Sequence, residues 1–392
     1  MQFTKQHWVY IVVTLGFLSQ IFLSQSLWHD VNRQFFLVPM FSFLPLDVGN
    51  SGNTILFVGL LGSLIVAVFY FKKSTLIPIV LLIAILMLQD MTRVQAWSYQ
   101  YLLTFLVLLL DWNKPIEKSL PVLQWIMIFT YFWSGIQKFN PHYVEAVHPW
   151  LFSAFEWSKP FAEIGNWAYW TAAFETLVGV GLIFQRTRKL AIIAGLGMHF
   201  FILLMIGPWG EDWNSVVYPW NIVMMCLLVV LFYRKPKNAE ITPTLLKIPN
   251  TRTQWFIIVI LGILPVFNIF TRFPETISMT MYNGATSELS VYFDENETPD
   301  CIPKKGVEAI YQTRNGNQLS LDDWGISELN VPIYDLPTYA EKFVDKFCDC
   351  IGNDLNAGIK ITNKKRWTRE DYVIKEEINC IDKKRLKEFK IE

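Results

Sequence analysis

The 392-residue chain balances 34 basic against 34 acidic side chains, yet 52% of its residues are hydrophobic and 16% are aromatic. That is too apolar for a soluble protein of this length, and without a basic surplus no nucleic-acid partner is expected. A membrane protein, with lipids as its first partners, is the class that is left.

A bilayer-crossing helix takes about 20 mostly apolar residues. Nine stretches approach that length: 8–28, 54–71, 75–89, 97–111, 120–138, 163–184, 189–207, 215–233 and 253–271. Two of them, 75–89 and 97–111, are short enough that tilted or part-way insertion is expected. The first is not followed by a small-residue cleavage site and reads as an uncleaved anchor. Beyond Arg272 the chain turns charged and alternating. The expected fold class is therefore an α-helical polytopic membrane domain of about nine spans, residues 1–273, followed by a C-terminal, strand-rich α+β domain, residues 274–392.

Basic residues set the orientation, because short loops rich in Lys and Arg stay in the cytoplasm. One alternate set of loops holds Lys5, Lys72, Lys73, Lys114, Lys118, Arg186, Arg188, Lys189, Arg234, Lys235, Lys237, Lys247 and Arg252. The other set holds only Arg33, Arg93, Lys138 and Lys159. The N-terminus is expected inside and, after nine spans, the C-terminal domain outside; a bacterial inner membrane fits best.

In the tail, SELSVYF (287–293), VEAIYQT (307–313), QLSLDDW (318–324), IKITN (359–363) and YVIKEEINC (372–380) read as strands. The second and third form a hairpin on the Asn-Gly turn signal. LPTYAEKFVDKFCDC (336–350) has helical spacing of its apolar residues. Cys301, Cys348, Cys350 and Cys380 all fall in this tail, and four cysteines in an exoplasmic domain suggest two disulfides of open pairing. No metal site is expected, since Cys-Asp-Cys lacks the usual ligand gap and no histidine follows His199. Phosphate loops and hydrolase elbows are absent from the sequence.

Chemistry is expected in the membrane domain, where ionisable groups are costly unless they are paired or line water. The loop QDMTRVQAWSYQY (89–101) offers Asp90, Arg93, Gln95, Trp97 and Tyr99 as binding residues. The fifth span delivers Lys138, followed by Asn140, Pro141, His142 and His148, and the seventh carries His199. These groups are expected to converge on one outward-facing cavity between spans five and seven, and Gly135 is expected to let another helix come close. Each has a plainer reading as well. Lys138 is placed to snorkel towards headgroups, Asp90 and Arg93 to pair locally, His199 and Glu175 to hydrogen-bond between helices. The segment 144–157 reads as one amphipathic helix on the outer leaflet.

The blocks DMTRVQAWSYQY, YFWSGIQKFNPHYVEAVHPWLF and GMHFFILLMIGPWGEDWNSVVYPWNIVMM (197–225) together resemble the HTTM family, the membrane domain of the vitamin K-dependent gamma-carboxylase and its bacterial relatives. The resemblance covers most of 8–270. It implies that Lys138 is a base acting on a reduced quinone of the menaquinol or vitamin K hydroquinone type, in a reaction that ends with carboxylation of a glutamate in an exported protein. A base of this kind must be unprotonated to act. This sequence has Gln137-Lys138 where the family enzyme has two lysines, and Trp97 where it has a histidine. A non-catalytic scaffold, binding lipid or a partner in the same cavity, is the alternative.

The asymmetry of basic loops makes a direct prediction. A phosphatase reporter fused at the C-terminus should be active, which requires export, and the same reporter fused at residue 240 should be inactive; the reverse pattern would invert the topology.

Overall fold

The computed structural model describes residues 4–29, 31, 33–41, 48–233, 249, 251–271, 273–285, 288–293, 302, 310–313, 316–333, 336–351, 357–362 and 378–379. The chain is built from helices α1 (Lys5–Leu23), α2 (Gln25–Trp28), α3 (Gly49–Phe69), α4 (Lys73–Gln89), α5 (Ala96–Leu110) and α6 (Ile116–Ile136). Next come the short α7 (His148–Ser153) and α8 (Lys159–Ala162), then α9 (Gly165–Ile183), α10 (Arg188–Ile206), α11 (Val217–Leu228), α12 (Arg252–Ile257) and α13 (Pro265–Phe270). Every apolar stretch picked out in the sequence is helical. Among the described residues, five helical stretches are long and apolar enough to cross a membrane: α1, α3, α6, α10 and Arg252–Phe270.

The expectation of nine spans is thus met only in part. Helices α4 and α5 have 17 and 15 residues; at 1.5 Å per residue they reach roughly 26 and 23 Å, short of a ~30 Å hydrocarbon layer. Val217–Tyr233 is also apolar but short. Helix α9 has the length, 19 residues, but Asn166, Thr171, Glu175 and Thr176 make it more polar than the five. The single helix expected over 144–157 is broken into a π-helical turn, Tyr143–Val147, and then α7 and α8. Pro149 has no N–H to bond four residues back, and His148 N–H reaches five residues back to Tyr143 instead.

The tightest helix crossing is that of α6 with α9. A Cβ added at Gly135 would lie 2.5 Å from the backbone nitrogen of Thr176 and 2.9 Å from the Ala172 carbonyl oxygen; one at Gly179 would lie 2.9 Å from the Ile128 oxygen and the Phe132 nitrogen. Only glycine lets the two backbones meet there, on a face of α9 that also carries Ala168, Ala172 and Thr176, so that small residues line the whole crossing.

The tail forms a five-stranded antiparallel sheet in the order β2-β3-β1-β4-β5, with β1 Glu288–Phe293, β2 Ile310–Thr313, β3 Gly316–Ser320, β4 Ala357–Thr362 and β5 Ile378–Asn379. The expected β2–β3 hairpin forms, but its register pairs Ile310 with Leu319 and Thr313 with Gly316, so Gly316 is the first residue of β3 and the pairing is centred one residue earlier than a turn on Asn315-Gly316 would place it. The strand expected to run on to Trp324 stops at Ser320. There α14 (Leu321–Leu329) begins, with Asp322 and Asp323 in its first turn, where negative charge suits the helix dipole. The helix expected over 336–350 is α15 (Leu336–Ile351).

Helices α14 and α15 grip residues 34–40. The Glu328 carboxylate accepts the N–H groups of Gln34 at 2.5 Å and Phe35 at 3.0 Å, while Lys342 and Lys346 donate to the carbonyls of Pro39, Met40 and Leu37. Phe35 and Phe36 pack against Trp324 and Phe343. Cys348 is buried and Cys350 exposed on α15; the expectation of two bridges also involves Cys301 and Cys380, which lie outside the described residues.

The closeness of α6 to α9 predicts intolerance at Gly135. Gly135→Val should destabilise the protein by about 1–3 kcal/mol or more, the usual cost of overpacking, read as an earlier thermal transition in detergent, while Gly62→Val, at a position facing open space, should leave that transition in place.

Candidate functional site

Helix α6 ends at Ile136, and Lys138 follows on a short turn whose shape is set by Asn140. The Asn140 side chain donates to the carbonyls of Gln137 and Asn283, each at 2.9 Å, and accepts the N–H of Tyr143 at 3.0 Å. With Pro141 next, this is how a chain leaves one helix and caps another. Asn140 therefore acts as a hinge pin for the turn rather than as a cavity residue. Gly284, at φ +72°, lies directly over the His142 carbonyl, where an added Cβ would come within 2.8 Å, so residues 283–284 hold the turn from outside. His142 is buried beside it.

Lys138 does not reach the surface. Its side chain is about one-tenth exposed, and Nζ donates to Glu175 Oε2 at 2.5 Å and to Ser134 Oγ at 3.0 Å. Snorkelling is excluded by this burial. Glu175 comes from α9, carried opposite Lys138 by the glycine crossing one turn away. The pair places an amine and a carboxylate in direct contact inside the protein.

Both residues line a cavity of about 760 Å³, within the ~300–1,000 Å³ range typical of small-molecule sites. Helices α9 and α10 form its long walls, through Trp167, Trp170, Phe174, Leu177, Met198, Phe201 and Ile202, and the α7–α8 segment covers it with Trp150, Phe152, Trp157 and Phe161. The charged members of the wall are Lys138 and Glu175; Thr171 and the hydroxyls of Tyr143 and Tyr282 add further polarity. Tyr143 and Thr171 are hydrogen-bonded to each other at 2.9 Å, and burial pushes the Tyr143 and Tyr282 phenols up from their ordinary range. Trp170, Phe174 and Leu177 are at the same time exposed on the outer face of α9.

The sequence-predicted residues divide into those that reach this cavity and those that do not. Lys138 lines it. His199 stands behind it, fully enclosed: its Nε2 is 2.7 Å from the Tyr131 hydroxyl and its Nδ1 2.7 Å from Asn221 Oδ1. Asn221 Nδ2 donates to the Val217 carbonyl at 2.8 Å, which turns Oδ1 towards the imidazole. Nδ1 therefore carries the proton, and Tyr131 donates to Nε2. The helix-to-helix reading of His199 is met, since its two nitrogens face Tyr131 on α6 and Asn221 on α11.

Asp90, Arg93, Gln95, Trp97 and Tyr99 do not converge with Lys138; none of them lines the cavity. Asp90 accepts from Arg33 Nη1 at 2.5 Å, from the Thr92 hydroxyl at 2.5 Å and from Thr92 N–H at 3.1 Å. Burial pushes its carboxyl up, but the charges of Arg33 and Arg93 and these hydrogen bonds outweigh that and hold it below the usual carboxylate range. The Arg93 guanidinium donates to the carbonyls of Leu27, Trp28 and Leu86, closing the ends of α2 and α4. Gln95 caps α5 with Ser98 and donates to the Pro332 carbonyl in the tail. Trp97 is buried against Phe17 and Trp28, and Tyr99 is half-buried on α5. The plain reading of this loop, a local ion pair satisfying its backbone, is what the geometry supports.

The partner that the sequence reading left in the background is Glu175. The signal was present: it is the acid set within an apolar span, and an intramembrane acid calls for a cation. His148 is a second unexpected feature. Its ring stacks on Phe152 at 4.5 Å, both ring nitrogens are buried without a hydrogen-bond partner, and burial pushes the imidazole down to about 4.

Fold and site together define a helical protein with membrane-length helices and an aromatic-walled cavity, open along α9, that is lined by one amine–carboxylate pair. No family model, curated protein or solved structure matches the chain.

Pairing of two buried charges predicts a non-additive mutational pattern. Glu175→Leu alone strands an ammonium and should cost about 3–5 kcal/mol, seen as a lowered thermal transition. The double variant Lys138→Met/Glu175→Leu should recover most of that loss; a double-variant loss equal to the sum of the two single losses would show that the two side chains are not coupled.

Proposed function

We propose that the protein is a membrane enzyme of the HTTM type that takes a reduced quinone sideways from the lipid into the cavity and uses Lys138, assisted by Glu175, to remove its hydroxyl proton. The observation that carries this reading is the buried Nζ–Oε2 contact inside a wide apolar cavity flanked by exposed aromatic residues. A quinol ring and its isoprenoid tail need aromatic faces to stack on, an apolar channel and one proton acceptor, and the walls supply each of these. When bound, a quinol supplies an acidic hydroxyl and two reducing equivalents. Glu175 Oε2 is placed to receive a proton from the Lys138 ammonium, which leaves the amine lone pair free, and Ser134 Oγ holds Nζ in position meanwhile. The wall is mostly aromatic and aliphatic, so the amine and carboxylate act on one another with less screening than in water. In this reading the Lys138 end of the bundle faces outside the cytoplasm, and an exported protein is the final substrate.

Turnover in lipid nanodiscs tests the reading. The wild type should oxidise a naphthoquinol in the presence of oxygen, and Lys138→Arg and Lys138→Ala should each slow it by about 10²–10⁴-fold, the range for losing a general base, because arginine stays protonated. Gly197 lines the cavity with open space where its side chain would be, so Gly197→Phe should raise KM by filling it. Full turnover in Lys138→Arg would remove Lys138 as the base; quinol binding without any turnover in the wild type would turn the cavity into the lipid-binding site of a scaffold.

A further inference from the structure

We propose that the Lys138–Glu175 pair also supports a second chemistry, reversible imine formation with a lipid-borne aldehyde or ketone. This shares the cavity with the reading above but not its reaction. Lys138 is a primary amine held in a site enclosed by apolar and aromatic groups, with an acid 2.5 Å from its nitrogen and a hydroxyl at 3.0 Å. Amines in such surroundings form Schiff bases with carbonyl compounds, and intramembrane carboxylates serve as counter-ions to cationic ligands.

The steps balance within the pair. The ammonium proton passes from Nζ to Glu175 Oε2, leaving a neutral amine and a carboxylic acid. The nitrogen lone pair forms a C–N bond to the carbonyl carbon, the C=O π pair goes to oxygen, and one N–H proton moves to that oxygen. Glu175 then protonates the hydroxyl, which leaves as water with its bonding pair while the nitrogen lone pair forms C=N. The result is an iminium cation on Lys138 beside the Glu175 carboxylate, so the site begins and ends as one ion pair and needs no outside reactant besides the carbonyl compound. No oxidant is consumed.

The chemical class follows from the wall. Trp170, Phe174 and Leu177 line the cavity and are also exposed on the outer flank of α9, so the carbonyl compound that fits has an apolar body and enters along that flank; a small charged aldehyde has no favourable route.

The test is reductive trapping. Wild-type protein in nanodiscs is incubated with decanal and sodium cyanoborohydride, then measured by intact mass and peptide mapping. Lys138 should gain the aldehyde less one oxygen atom, about tenfold or more faster than the exposed Lys159, the advantage of holding amine and carbonyl together. Gly197→Phe should bring Lys138 down to the Lys159 rate, and glyoxylate should label Lys159 while sparing Lys138. Labelling of Lys138 no faster than Lys159, or undiminished by Gly197→Phe, overturns the proposal. Quinol turnover decides the base reading and a covalent mass increment decides this one, so either falls without the other.

Discussion

The arrangement turns on the near-contact of two helix backbones. Gly135 on α6 and Gly179 on α9 remove the side chains that would hold the helices apart, and Thr176 and Ala172 fill the resulting seam. Because the crossing is so close, Glu175, one residue before Thr176, is delivered to Lys138, three residues after Gly135. A longer separation would leave each charge buried alone, at a cost that neither helix alone offsets. The ion pair and the crossing therefore support one another: the glycines set the distance and the charges penalise any slippage along it.

That single contact also gives the cavity its character. Aromatic and aliphatic walls from α9, α10 and the α7–α8 segment enclose a volume in which the charged groups are one amine and one carboxylate. Low polarity around them strengthens their interaction, and the exposed aromatic flank of α9 connects the volume to the surroundings of the helix bundle. Behind the wall, Tyr131, His199 and Asn221 form a satisfied chain of hydrogen bonds between α6, α10 and α11. It fixes the imidazole tautomer and keeps α10 in register against α6.

A second ionic centre does different work. Arg33, Asp90 and Arg93 bind the ends of α2 and α4 to residues 33–38, and the tail closes over the same residues through Glu328, Lys342 and Lys346. Its hydrogen-bonding capacity is spent on backbone carbonyls and amides, so it holds shape. The Lys138–Glu175 pair differs in that it faces open volume. Two clusters with similar residue types are separated by what else is in reach of their atoms.

Much was legible in the chain itself. Apolar runs marked the long helices, the turn signal over 314–317 marked a hairpin though not its register, and Gly135 with Asn140-Pro141 marked where a neighbour would come close and where the helix would stop, because these are local or periodic constraints. Helix length and hydropathy together qualify five stretches for membrane crossing, a finer division than the apolar runs alone allowed. Local sequence could not say that Leu321–Trp324 would leave the sheet, since that depends on α14 docking onto residues 34–35. Nor could it say which polar groups meet. Asp90 and Arg93 were expected beside Lys138 and Glu175 was not, and only the helix crossing, a contact between residues some forty positions apart, decided that Glu175 faces Lys138 while the 89–101 loop turns to its own backbone.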